Sequence, residues 1–181
     1  DSFYHIKRLY NLSLLEQIIT EIGDWDDLTE YDLISHVFKT LEQGDGIFGG
    51  LSGLTPEFAG RIAGYFKIPV GGIARLGLFK LALLIHDAGK PATMKHEDDR
   101  LRFIGHEIEG ELACRRMCRR LKLSRSAVLY VARLARNHHR VFNLALIEKK
   151  QGRTRLKRLT DRSKSHMFRA PGEEHCISLE L

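Results

Sequence analysis

The chain has 181 residues, 43% of them hydrophobic and 29% charged, with a formal net charge of +6. That length buries a core without disulfide support, and the longest apolar run, Leu76 to Ile85, is broken by Lys80 and too short to cross a bilayer, so a membrane-spanning helix is excluded. The amino terminus DSFYHIKRLY lacks the layout of a secretory signal, and Cys114, Cys118 and Cys176 contain no CxxC pair, which argues against a disulfide framework or zinc finger and for a cytoplasmic location.

Helical periodicity dominates and alternating β-branched runs are scarce, so the expectation is an all-α helical bundle forming one domain over residues 1–181, itself a piece of a longer chain. LSLLEQIITEI reads as a first helix ending at Gly23. TEYDLISHVFKTLEQ reads as a second, with Thr29 or Asp32 as its cap and Gly44 and Gly46 marking its exit. The glycines of GDGIFGGLSGLTP read as a loop, and Pro56 suits the first turn of a helix running to Phe66. After a turn at PVGG, the segment Ala74 to His86 is apolar on nearly every side, as a central helix surrounded by others should be. The charged stretch KPATMKHEDDRLRF reads as a surface loop. A helix from His106 to Leu121 follows, with apolar residues at Ile108, Leu112, Ala113, Met117 and Leu121 and with Cys114 and Cys118 as two buried thiols. Ser124 caps a further helix through Val128, Val131, Leu134 and Ala135 to His138 and His139. Residues 147–170 form a basic segment that fits a surface helix and a mobile segment equally well.

Charge is distributed unevenly. Residues 1–60 hold three Lys or Arg against eleven Asp or Glu, whereas residues 115–169 hold eighteen basic residues against two acidic ones, Glu148 and Asp161. A field of that kind suits a polyanion such as RNA, and it equally suits a solvated helical surface.

The stretch LALLIHDAGKP sets His86 and Asp87 directly after five apolar residues. Burying an ionised aspartate at the end of an apolar helix is costly unless a cation or hydrogen bonds compensate it. A divalent metal would do so, since imidazole nitrogen and carboxylate oxygen ligate Zn, Fe, Mn and related ions. A capped turn at Gly89, with His86 bonded to a backbone carbonyl, would also do so. Helical spacing sets His106 on one face with Gly110, Ala113 and Met117, and His139 on one with Ala135, Ala132 and Val128, aiming both inward. His138 faces Leu134 and Val131, and periodicity does not choose between the two. His36 falls about 130° from the centre of the stripe of Leu33, Ile34, Val37, Phe38 and Leu41, where it fits the wall of a cleft or open water.

In chain order, His36 in YDLISHVFKTLE, the dyad in LLIHDAGKP, His106 in FIGHEIEGE and His139 in VARLARNHHR resemble the HD domain superfamily of metal-dependent phosphohydrolases. More narrowly, IHDAGKPAT, FIGHEIEGELACRRMCRRLKLS and FRAPGEE are similar to the HD region of bacterial tRNA nucleotidyltransferases and poly(A) polymerases, from about Leu12 to Glu174. The resemblance implies an HD-domain-like helical bundle, with His36, His86 and Asp87 as ligands of a divalent metal (Mn, Fe, Ni, Zn or Mg). It implies His106 and His139 as ligands of a second metal or as contacts to a substrate phosphate. Asp87 would also orient water, and Lys90 would stand beside the site with its ammonium on phosphate or on Asp87, unless it is an exposed lysine after a turn. Two positions depart from the pattern. Arg140 stands where part of the tRNA-enzyme family has an aspartate, and the usual late aspartate has no counterpart in Asp161 or in the closing HCISLEL.

The implied activity is hydrolysis of nucleotide or RNA-end phosphoesters, either phosphomonoesters or 2′,3′-cyclic phosphates. A non-catalytic RNA- or tRNA-binding module with a degenerate metal site accounts for the same residues, with Lys149, Lys150, Arg153 and Arg155 on the RNA. A third reading is a domain that packs against the amino-terminal nucleotidyltransferase portion of a longer chain or forms a homodimer. The Gly-Ser turn and paired aspartates of nucleotidyltransferase chemistry are not found in these residues, so no nucleotide addition is expected of them.

Overall fold

The computed structural model describes residues 2–25, 32–49, 55–140, 143–144 and 146. Among these the chain is all-α, with eight α-helices, one 3-10 turn and two short antiparallel ribbons. It divides into two compact units, Asp1–Arg136 and Asn137–Leu181. The expected basic segment 147–170, with Lys149, Lys150, Arg153, Arg155 and Asp161, lies outside the described residues, as do Cys176 and FRAPGEE. No described helix is long and apolar enough to cross a membrane.

The first unit opens with α1 (Ser2–Asn11), which the periodicity reading did not assign to a helix. The expected first helix is interrupted: α2 covers only Leu15–Ile18, and a 3-10 turn follows over Thr20–Trp25, burying Ile22 and Trp25. Leu15, Ile19, Ile22 and Trp25 all reach the core from these short pieces.

Helix α3 (Leu33–Gly49) starts where Asp32 accepts the Ser35 backbone N–H at 2.7 Å, a side-chain cap. It does not exit at Gly44. A Cβ on Gly44 would come within 2.3 Å of Leu83 Cδ1, so the glycine is the place where α3 lies closely against the central helix. Helix α4 (Pro56–Lys67) has Thr55 as its cap and Pro56 in its first turn. A ribbon of β1 (Pro69–Val70) and β2 (Ile73–Ala74) turns at Gly71 and Gly72, both with positive φ, as a two-residue hairpin loop requires.

Helix α5 (Arg75–Ile85) is the expected central helix, packing on α3, α4 and α7, with no exposed residue after Gly77. The charged stretch after it is not a loop. It forms α6 (Lys90–Thr93) and a hairpin of β3 (Lys95–Glu97) with β4 (Arg100–Arg102), turned by Asp98 and Asp99 at positive φ, a conformation aspartate tolerates.

Helix α7 (His106–Arg120) buries His106, Gly110, Ala113, Cys114, Met117 and Cys118, while Ile108 and Leu112, expected among its apolar positions, face outward. Helix α8 (Arg125–Asn137) starts where Ser124 Oγ accepts the Ala127 N–H, and it buries Ala127, Val128, Val131, Ala132 and Ala135.

Candidate metal centre

The centre forms where α5 ends. His86 is the last helical turn's C-cap and Asp87 follows it, 1% exposed and among the most deeply buried side chains of the chain. Four nitrogens surround its carboxylate. Lys90 Nζ stands 2.7 Å, His36 Nε2 3.1 Å and His86 Nε2 3.2 Å from Oδ2, and His106 Nε2 stands 3.6 Å from Oδ1.

Local structure aims two of these imidazoles. His86 Nδ1 lies 2.9 Å from the Leu83 carbonyl and His106 Nδ1 lies 2.7 Å from the Phe103 carbonyl. A carbonyl oxygen can only accept, so in both rings Nδ1 carries a hydrogen and Nε2 is the nitrogen turned toward Asp87; in a neutral ring that Nε2 presents a lone pair. Lone pairs and an anionic oxygen at that separation repel unless a cation or proton lies among them. Protonating all three imidazoles beside Lys90 would set four positive charges on one carboxylate. A divalent cation satisfies the same geometry without that excess, and a backbone carbonyl accepting from the far ring nitrogen is a usual outer support of a metal-ligating histidine.

The donor set fits such an ion. One ligand atom each from His36, His86 and Asp87 lie within 4.8 Å of one another, and imidazole nitrogen with carboxylate oxygen suits Mn, Fe, Ni or Zn. His36 comes from α3, fifty residues upstream. Its side chain is 41% exposed against 1% for Asp87, so the centre is buried on the α5 side and open on the α3 side.

His106 is brought in by backbone contact. A Cβ on Gly89 would sit 2.2 Å from the His106 carbonyl oxygen and 2.3 Å from Gly110 N, and a Cβ on Gly110 would sit 3.1 Å from the His86 carbonyl oxygen. The two glycines let the turn after the dyad lie directly on the first turns of α7. Nearby, Cys114 Sγ donates to the Ile85 carbonyl at 3.3 Å, filling an open acceptor at the end of α5. Burial pushes the Cys114 thiol well above its usual range, which keeps the hydrogen it donates.

Lys90 is not an exposed lysine after a turn. It is 7% exposed, its ammonium meets Asp87, and it lies 5.5 Å from the Phe103 ring centroid. His139 belongs to the second unit. Helix α8 ends at Asn137, and His139 follows it, exposed, with its ring meeting that of half-buried His138 edge-on at 4.2 Å. The periodicity reading missed Phe103 and Leu83 as partners, because a backbone carbonyl leaves no mark in side-chain patterning. Gly89 and Gly110 were legible only as glycines.

A family model described as HD domain matches residues 55–175, more than half of the chain and including His86, Asp87, Lys90, His106 and His139. His36 precedes the matched segment. No curated protein matches the chain.

Proposed function

The chain belongs to the HD domain family, whose fold is that of metal-dependent phosphohydrolases, and from that premise we propose that it hydrolyses phosphoesters of nucleotides or RNA ends. The observation that carries this reading is the pair of backbone-anchored imidazoles, His86 and His106, that direct their Nε2 atoms at one buried carboxylate. His36, His86 and Asp87 would hold a divalent ion. When bound, such an ion supplies Lewis acidity, drawing charge from a phosphoryl oxygen and lowering the pKa of nearby water.

The chain's own residues do the rest. Lys90 balances Asp87 when no ion is present, and its ammonium is the nearest cation for an incoming phosphoryl oxygen. His106 Nε2, 3.6 Å from the opposite carboxylate oxygen, is a further donor atom facing Asp87. The open side at His36 admits the substrate. In this reading His139 is a phosphate contact or a ligand of a second ion, and the narrower likeness to tRNA nucleotidyltransferases and poly(A) polymerases supports phosphomonoesters or 2′,3′-cyclic phosphates as substrates, with a nucleotidyltransferase portion or a second copy as partner.

Elemental analysis of protein purified without chelator or histidine tag should find a first-row transition metal near one equivalent. The metal-loaded chain should open a 2′,3′-cyclic nucleotide, and Asp87→Ala should abolish both. Intact substrates with loaded protein, and no change on Asp87→Ala, would remove the reading.

A second reading has its own support in the basic half of the sequence. An RNA-binding module, with Lys149, Lys150, Arg153 and Arg155 on phosphates, follows from eighteen basic residues against two acidic ones over 115–169. Binding that weakens steeply with salt, and again when those four are neutralised, distinguishes it from hydrolysis alone.

A further inference from the structure

Within the first unit, α7 and α8 leave a half-open cleft of about 470 Å³. Arg115, Arg119 and Arg125 line it, with Leu123, Val128 and Leu129 supplying its apolar side. None of these residues belongs to the group around Asp87. Arg115 and Arg119 stand one turn apart on α7, and Arg125 opens α8, so the guanidinium groups come from both walls.

Their charge is largely unanswered. Arg115 is held by Glu111, through Nε at 3.1 Å and Nη2 at 2.6 Å, which fixes that guanidinium and shares its charge. Among the described residues neither Arg119 nor Arg125 has a carboxylate within ion-pair distance, and no acidic residue occurs between Glu111 and Glu148. Exposed Arg116 and Lys122 continue the positive charge on the same stretch of chain.

We propose that this cleft binds a single strand of RNA, with phosphates on Arg115, Arg119 and Arg125 and the ribose or base edge on Leu123, Val128 and Leu129. Guanidinium groups pair with phosphate oxygens in a fork geometry, and the apolar side matches the less polar faces of the nucleoside. Positive charge extending past the cleft fits an extended polyanion better than a compact one. The inference rests on the RNA-binding reading and not on hydrolysis.

The test uses the full 181-residue chain and a fluorescent twelve-nucleotide single-stranded RNA, with affinity measured by anisotropy across a salt series. The double variant Arg119→Gln/Arg125→Gln should bind about tenfold more weakly at low salt, and its plot of log affinity against log salt should be shallower by about 1.4, two contacts at about 0.7 each. The double variant Arg61→Gln/Lys67→Gln, on the exposed face of α4, carries the same loss of charge and should change neither quantity. Thermal melting of both checks that they fold. Equal losses in both variants would show a diffuse field and overturn the cleft assignment. Competition by adenosine monophosphate at the same phosphate concentration as the strand would overturn the strand assignment. A chain that fails to bind RNA even at low salt would end both this inference and the RNA-binding reading, while leaving hydrolysis to be judged by Asp87→Ala.

Discussion

Asp87 is a buried carboxylate with one ammonium and three imidazoles around it, and its neighbours decide what a substitution there costs. Removing one partner of a buried ion pair leaves the other charge uncompensated, at about 3 kcal/mol or more. Lys90→Met should therefore lose about 3 kcal/mol in urea unfolding, and a divalent ion should restore more stability to this variant than it adds to the parent. A variant as stable as the parent would show that the ammonium does not compensate Asp87. An ion that binds only the folded chain adds about 2.7 kcal/mol at a hundredfold excess over its Kd. That increment should appear as a raised Tm in the parent and vanish in His86→Ala and in Asp87→Ala. At this scale the sequence showed which side chains are chemically capable, and the metal-ligating types were all visible. It did not show which nitrogen of His86 or His106 faces the carboxylate, because that depends on the Leu83 and Phe103 carbonyls.

Helices are brought together here by residues that lack a side chain. Gly89 meets the backbone of His106 and Gly110 at distances no Cβ tolerates, so Gly89→Ala must push α7 off the dyad turn. Overpacking of this kind costs about 3 kcal/mol. The variant should also lose metal-dependent stabilisation, since His106 moves with α7; unchanged metal binding would show that His106 stands apart from the ion. Gly64 in α4 is the contrasting case. A Cβ there meets nothing within 4 Å, and Gly64→Ala should raise stability by about 0.5–1 kcal/mol through helix propensity alone, read from the shift in the urea midpoint. The same logic carries α3 past Gly44 to Gly49. Glycine at position 44 resembles a helix terminator in sequence, whereas in the fold it is a contact point for Leu83. Likewise the charged run after the dyad looked like a loop because its strands are three residues long and its turn is built by two aspartates, below the length at which alternation can be detected.

Across the first unit, two ion pairs tie distant segments and contribute to the response to acid. Glu21 of the 3-10 turn takes both terminal nitrogens of Arg120 in α7, and that hydrogen-bonded guanidinium holds the carboxyl below its ordinary value. At Asp45 burial raises the carboxyl, but the Lys80 ammonium at 2.7 Å and the Phe3 N–H at 2.8 Å outweigh it, and the net shift is downward. A lowered folded-state pKa means that the unfolded chain binds more protons, so this stability is present above the ordinary carboxylate value and is lost as pH falls through the folded one, below about pH 4. Tm should fall along that limb, and Glu21→Gln/Asp45→Asn should flatten it; an unchanged slope would assign acid sensitivity to other carboxylates. The sequence by itself determined the helical class, the central apolar helix and the chemical inventory of the site, because these follow from composition and from a repeat of 3.6 residues, which are local properties. Tertiary structure decided that His36, upstream of the family match and ambiguous on its own helix, stands 3.1 Å from Asp87, and that His106 joins it through two glycines. Those facts depend on how separate helices meet, and side-chain spacing within one helix carries no information about the distance to another.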